Sequence, residues 1–428
     1  MKTPLPATTT LSPSLFSALE ETVPKGFRLG THRWVPPGET VARVRRLMPV
    51  MGITRIANVT GLDCIGIPVV MVTRPNSRSL SVSQGKGLDL AAAQASGLME
   101  SVESYHAEHI TLPLKLASYE ELRYTHNVVE VDPLPRTPDS RFHPYLPIHW
   151  IEGYDLLQEE PVWVPFDLVH TNYALSTHRG MSGFNPTSNG LASGNHLLEA
   201  ISHGLCEVVE RDATTMWRLL DEPARARTRV DLDTVADPGC RSLLEKYARA
   251  HVAVAAWEIT SDVGIPAFLC RIFDEHDNLF RRLGHTECMG CHPAPEIALS
   301  RALTEAAQSR LTMIAGSRDD VFLSKFTQQF DPTLHARLRA ELDRMPATRR
   351  FDSSAAWRAD TFDEDVEWEL DRVRRAGFKR AIVVDLTRPE FGLPVARVIV
   401  PGLEALMKEQ GYAMGERAKA RVSTDGQP

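Results

Sequence analysis

The sequence predicts an α/β fold, and three observations carry that prediction. Short apolar runs of strand length, at residues 67–72, 252–259 and 266–273, are bounded by turn-forming residues. Longer stretches with helical periodicity lie between them, around 96–103, 194–212 and 295–315. Ser261-Asp262-Val263-Gly264 separates two of the apolar runs and turns them into neighbouring strands.

Taken in order, residues 1–27 are rich in Pro, Thr and Ser and read as a flexible leader. A helix is expected over 38–48, stopping before Pro49, and a buried strand over 67–72. The Gly/Ser-rich SVSQGKG segment, 81–87, leads into the first of two glutamate-bearing helices. Strands follow at 148–154 and 162–169. A polar, glycine-rich loop over 177–194 then opens the second glutamate helix, with Ser193 or Asn195 as its cap. After the strands at 252–259 and 266–273 comes a third long helix, 295–315, and then a helix at 363–375, strands at 380–386 and 395–400, and a short helix after Pro401-Gly402. No internal repeat is visible. One domain is expected over 28–410, with a polar tail over 411–428.

The glutamates are the chemically informative feature. In SGLMESVE, Ser96, Glu100 and Glu103 fall within roughly 60° on a helix. In GNHLLEAISHGLCEVVERD, Glu199 and Glu210 are about 20° apart, and Glu207 is about 80° from Glu199. Solvated helix faces are the competing account for any single ExxE. Here the pattern occurs twice, each time flanked by Ala, Leu, Ile and Val. Carboxylates buried on such faces repel unless compensated, and a divalent cation is the economical compensation. Hard oxygen ligands suit Mg2+, which shares its shell with substrate phosphates.

Composition narrows the partners. A net charge of −7 and a pI near 6.1 leave no basic excess for general nucleic-acid binding. Arginines cluster at Arg43, Arg45 and Arg46 and again at Arg372, Arg374, Arg375 and Arg380, where acidic neighbours favour a solvated face. The start of the chain lacks a signal-peptide apolar core, and no run has the length of a membrane span. A cytoplasmic protein without membrane association is expected.

Six cysteines in 428 residues do not make a disulfide framework. Cys64, Cys206, Cys240 and Cys270 read as small core residues. Cys288-Met289-Gly290-Cys291-His292 matches a c-type haem attachment pattern, but haem attachment requires export. A zinc site from His285, Cys288, Cys291 and His292 would crowd its ligands into one short segment. The expectation is a glycine-containing loop leading into the third helix.

Six ordered blocks resemble the YcaO family over about residues 28–410. They are GITRIANVTGLDCIGIPV (52–69), SQGKGLD (83–89), the SxxxExxE run at Ser96, the NxxxE and ExxERD runs beginning at Asn195, EAAQSR (305–310) and VDLTRPEFGLPVARVIVPGLE (384–404). The resemblance implies mixed and antiparallel sheets with long helices lining a central ATP site. It implies an enzyme that uses ATP and Mg2+ to phosphorylate a peptide backbone amide oxygen, after which a nucleophile displaces phosphate. By the same resemblance, Glu100, Glu103, Glu199, Glu207 and Glu210 would hold Mg2+. Ser96, Asn195, Arg211, Gln308 and Arg310 would contact nucleotide or phosphate, with Arg211, Gln308 and Arg310 as the catalytic set. In HRWVPPGET, Arg33 and Thr40 stand where the family has an early basic residue and a hydroxyl residue that bind ATP, and Lys86 is a further phosphate-side candidate. The first motif commonly ends in arginine, whereas Ser104 follows Glu103 here. Charge neutralisation then falls to Arg211, Arg310 or Arg318. Independently, phosphoryl transfer needs metals and cations placed about the phosphates, and the chain has both without a P-loop or a kinase signature.

Within that resemblance, azoline-forming members often end in a PxPxP tail, whereas this chain ends in AKARVSTDGQP. The GITR…TGLDCIGIPV opening and the MESVESYHAEH helix look like the members that work with a TfuA-type partner and install thioamides. Thioamidation of a peptide or protein is therefore the expected reaction. The alternatives are azoline formation with a separate peptide-recognition protein, and a non-catalytic metal-binding scaffold. A homodimer is a further expectation.

Overall fold

The computed structural model describes residues 13–174, 182–275, 283–321, 332–353, 356–407 and 412–425. The part of the 177–194 loop before Ser182 lies outside them. The chain gathers into two compact units. One comprises Met1–Pro24, Glu103–Thr215 and Thr361–Pro428, and the other Lys25–Val102 and Met216–Asp360. The first glutamate helix, Leu90–Glu108, and the second, Leu197–Arg218, contribute residues to both.

The unit containing Lys25–Val102 holds two three-stranded antiparallel sheets. Val252–Glu258, Ala267–Asp274 and Thr286–Cys291 form one of them, and the first two are joined by the expected turn, where Gly264 takes φ 76°. Helices Pro238–Arg249 and Pro295–Ala315 bury Leu243, Tyr247, Leu299, Leu303 and Ala306 with Phe268, Cys270 and Ile272 of this sheet. The third helix has the expected bounds: Pro295 lies at its start and Gly316, at φ 58°, ends it in the left-handed conformation.

The other sheet is Arg55–Asn58, Val69–Thr73 and Val82–Lys86. Its last strand falls in the SVSQGKG segment that leads into the first glutamate helix. Gly85 there serves close packing. A Cβ on Gly85 would lie 2.0 Å from the Ala93 carbonyl oxygen and 2.2 Å from the Gly97 nitrogen, so only glycine lets this strand lie on the first glutamate helix. The early helix departs from expectation, running from Pro37 to Met51 with Pro49 inside its final turn. The stop is Gly52, at φ 68°, whose N–H reaches the Met48 and Pro49 carbonyls.

The unit containing Glu103–Thr215 is built on a six-stranded antiparallel sheet. Leu114–Ala117, Ile148–Asp155, Ile382–Asp385, Val395–Ile399 and Leu191–Ser193 follow one another across it, and Glu160–Pro165 also pairs with Ile148–Asp155. The expected strand over 162–169 ends at Pro165 and passes into a 3₁₀ turn, Phe166–Leu168. Helix Phe362–Arg375 is capped by the Thr361 hydroxyl. The helix expected directly after Pro401-Gly402 does not form over residues 403–407. There the Glu404 N–H is taken by Asp212 Oδ1 at 3.0 Å, and the Glu404 carboxylate accepts from the Gly415 and Ala418 N–H groups. The helix lies later, at Glu416–Asp425, inside the segment read as a polar tail. No helix among the described residues is long and apolar enough to cross a membrane.

Candidate functional site

The close approach at Gly85 sets the geometry of one group of residues. It brings the Gln84 N–H to Glu100 Oε2 at 3.2 Å. The next residue but one, Lys86, forms an ion pair with Glu305 of the third helix at 2.7 Å. Thr312, two turns further on, donates to Gln84 Oε1 at 2.7 Å. Burial raises the Glu100 carboxyl above the ordinary range, and the charges of Arg318 and Lys86 together with the Gln84 N–H oppose that rise. Arg318 is fixed by two hydrogen bonds to Asp320, at 2.8 and 2.7 Å. Gln308 Oε1 is buried without a hydrogen-bond partner. Ser96 lies half-buried one turn before Glu100.

Arg310 does not share the face of Gln308. Residues two apart on a helix point about 160° from one another, and the Arg310 side chain is only 1% exposed. Its Nε donates to Asp63 Oδ2 at 2.9 Å and its Nη2 to Asp274 Oδ1 at 3.0 Å. The structure thus places Arg310 in a buried ion-pair cluster. Thr40 is fully buried in the first turn of helix Pro37–Met51. Arg33 is half-buried and exchanges backbone hydrogen bonds with Phe27, both at 2.9 Å.

A second group belongs to the other unit. Ser193 is the last residue of a strand, not a helix cap, and both its N–H and its hydroxyl donate to Glu103 Oε1, at 2.9 and 2.7 Å. Nor is Asn195 the cap, because the first intrahelical bond of the second glutamate helix is accepted by His196. Asn195 is buried and donates through Nδ2 to Glu199 Oε1 at 3.4 Å. Glu199 and Glu210 are buried, and Glu207 is half-buried. The Arg211 guanidinium lies 3.3 Å from Glu210 and 3.7 Å from Glu207, neutralising part of this acidic face.

Among the described residues, no group of three or more His, Cys, Asp or Glu side chains forms a ready metal sphere. The oxygen-only donor set, the buried carboxylates and the unsatisfied Gln308 carbonyl oxygen suit Mg2+ and its nucleotide. Several participants carried no role in the sequence reading. Asp63 stood unassigned in TGLD, Glu305 in EAAQSR and Gln84 in SQGKG, while Ser193 was read only as a cap.

The Cys288–Cys291 run is also corrected, from loop to strand. Cys288 pairs with Cys270 and Cys291 with Ala267 across the sheet, so the two thiols, three residues apart, point to opposite faces. A Cβ at Gly290 would lie 2.2 Å from the Ala298 carbonyl oxygen, which explains the glycine as a close contact with the third helix. Cys288 Sγ donates to Ser309 Oγ at 3.0 Å, and burial pushes its thiol pKa up. The buried His292 is held neutral by burial, and its Nδ1 accepts from the Ala294 N–H.

Comparison with known proteins adds a family, two relatives and two solved structures. Residues 84–404 match the family model described as YcaO cyclodehydratase, ATP- and Mg2+-binding. A protein of Rhizobium leguminosarum bv. trifolii, named for its position in the tfuA 3′ region, is 39% identical over 90% of this chain and 92% of its own length. A protein of Methanothermobacter thermautotrophicus is 36% identical over 91% of this chain and 99% of its own. Among solved structures, YcaO from Methanopyrus kandleri bound with AMPPCP and Mg2+ aligns with a TM-score of 0.72 at 24% identity, over 92% of this chain and 99% of that one. A heterocyclase in complex with substrate and cofactor aligns with a TM-score of 0.77 at 24% identity. The alignment covers 96% of this chain but only 58% of that heterocyclase. At these identities the structural likenesses establish the fold.

Proposed function

This chain belongs to the YcaO family of ATP- and Mg2+-binding, peptide-modifying enzymes, and we propose that it converts a backbone amide of a peptide or protein into a thioamide. An amide carbon is a poor electrophile because nitrogen donates electron density into the carbonyl. Transfer of the γ-phosphoryl group of ATP to the amide oxygen leaves ADP and turns that oxygen into a leaving group. A sulfide-equivalent donor then adds to the carbon, and inorganic phosphate departs with the former amide oxygen. The product carries C=S where the substrate carried C=O.

The residues divide this work by chemistry. Glu100 in one group, and Glu103, Glu199, Glu207 and Glu210 in the other, would hold Mg2+, with Ser193 fixing the orientation of Glu103 and Asn195 that of Glu199. The chemistry Mg2+ would supply there is offsetting of the negative charge that develops on the phosphates during transfer. Arg211 and Lys86, each already paired with carboxylate, would turn toward phosphate oxygens. Gln308 offers an amide for a nucleotide contact, and Arg33, Thr40 and Ser96 remain candidates for it. Arg310 acts through the fold, by fixing the third helix that carries Glu305 and Gln308.

The observation that carries the thioamide reading is the relative from the tfuA 3′ region, similar over nine-tenths of this chain. A TfuA-type protein is accordingly the proposed partner. The family description as cyclodehydratase favours a second reading, in which a neighbouring Cys, Ser or Thr side chain is the nucleophile and an azoline results. Incubation with ATP, Mg2+, a sulfide donor, the TfuA-type protein and its candidate peptide separates the two by product mass. Exchange of oxygen for sulfur supports thioamidation, and loss of one water supports azoline formation. Consumption of ATP with neither change rejects both.

A further inference from the structure

Glu369 has no role in the chemistry described above, yet it is fully buried in helix Phe362–Arg375. Its Oε1 accepts from Ser202 Oγ at 2.8 Å and from Cys206 Sγ at 3.3 Å, while its Oε2 is buried without a hydrogen-bond partner. Ser202 and Cys206 are four residues apart on the second glutamate helix. They lie on the flank of the face that carries Glu199 and Glu210, within about 60° of Glu199. Asp365, one turn before Glu369 on its own helix, is also buried. Two ionised carboxylates packed side by side in the interior would be strongly unfavourable. Burial, Cys206 and Asp365 all push the Glu369 carboxyl well above the ordinary range, so it keeps its proton.

Resting on the reading that Glu199, Glu207 and Glu210 hold Mg2+, we propose that Glu369 is a positioning residue for that metal. It locks the rotation of the second glutamate helix through its hydrogen bonds from Ser202 and Cys206. Hydrogen bonds to two successive turns fix a helix about its axis and so hold the ligands it carries. The geometry also accounts for a serine and a cysteine at positions where an amphipathic helix would otherwise carry aliphatic residues.

Calorimetric titration of the full-length protein with a non-hydrolysable ATP analogue, at a series of Mg2+ concentrations, tests this. Glu369→Ala should weaken Mg2+-dependent analogue binding about tenfold or more, as loss of a residue behind a metal ligand does. Glu369→Gln, isosteric and neutral, should restore it to within about twofold. A double variant, Ser202→Ala with Cys206→Ala, removes both donors and should reproduce the Glu369→Ala loss; it decides the matter if Glu369→Ala does not fold. Wild-type affinity in that double variant, or equal losses in Glu369→Ala and Glu369→Gln, would overturn the positioning role. Failure of the unmodified protein to bind the analogue with Mg2+ would instead overturn the metal reading on which the role depends.

Discussion

Arg310 closes on Asp63 with its Nε 2.9 Å from the carboxylate, joining two motifs 247 residues apart in the chain. Side-chain exposures of 1% and 2% make this a buried pair, and Asp274 completes it at 3.0 Å. Removing Asp63 leaves Arg310 with Asp274 but without its contact at Nε. Asp63→Asn is therefore expected to cost about 1.5–3 kcal/mol of folding stability, the loss of a hydrogen bond between charged groups. Nucleotide affinity of the remaining folded protein should change little. Denaturant unfolding followed by nucleotide titration checks both parts, and a stable variant that fails to bind ATP would return Arg310 to the phosphate.

The acidic face of the second glutamate helix gives the next expectation. Glu207→Gln and Glu210→Gln each remove a negative ligand and barely alter helix propensity. Mg2+-ATP affinity should fall about tenfold or more in each. Calorimetry that finds unmodified affinity in both variants would remove these residues from the metal set.

Arg211 lies 3.3 Å from Glu210 and 3.7 Å from Glu207. Its planar fork can grip phosphate in two places, which an ammonium group cannot reproduce. Arg211→Lys should lower kcat about tenfold or more while leaving the melting temperature nearly unchanged. Equal kcat in the variant would make Arg211 a surface counter-charge.

Glu369 carries a pH signature of its own. Its folded-state carboxyl lies well above the ordinary value of 4.5, because burial, Cys206 and Asp365 disfavour the anion. The native state then holds a proton that the unfolded chain releases once pH exceeds the ordinary glutamate value. Stability is accordingly lost as pH rises from that value toward the raised one. Glu369→Gln cannot ionise and should flatten this decline, gaining stability over wild type at neutral pH. Urea unfolding across that window measures it, and parallel stability curves for the two proteins would contradict the assignment.

The cysteine run distinguishes packing from ligation. Cys288 and Cys291 face opposite sides of one strand. The double variant Cys288→Ser, Cys291→Ser should lose only the modest stability expected of core polar substitutions, and the purified protein should carry no stoichiometric zinc, iron or haem. About one zinc per chain, lost in the double variant together with the fold, would overturn the packing account.

Periodicity made much of this legible. The third helix and the hairpin around Gly264 follow from apolar spacing and from turn residues acting locally. The acidic helix faces are equally local, because residues three and four apart on a helix must share a side. Gly290 misled the reading, since the same residue marks a turn and permits a strand to touch a helix; only the tertiary neighbour distinguishes the two. The partners of Arg310 are tertiary in the same way: a family motif identifies the residue type, but residues two apart on a helix point about 160° from one another, and this guanidinium sits on Asp63 and Asp274. The Asp63 partnership, formed across most of the chain, has no sequence period at all.

The fate of the amide oxygen tests the central claim most directly. A substrate peptide carrying a heavy-oxygen label in its backbone carbonyl is incubated with the protein, ATP, Mg2+, the sulfide donor and the TfuA-type protein, and both products are weighed. The account predicts that the label leaves in inorganic phosphate, one for each ATP consumed, while the peptide exchanges that oxygen for sulfur. Unlabelled phosphate, with the label retained in an unaltered peptide, would contradict it.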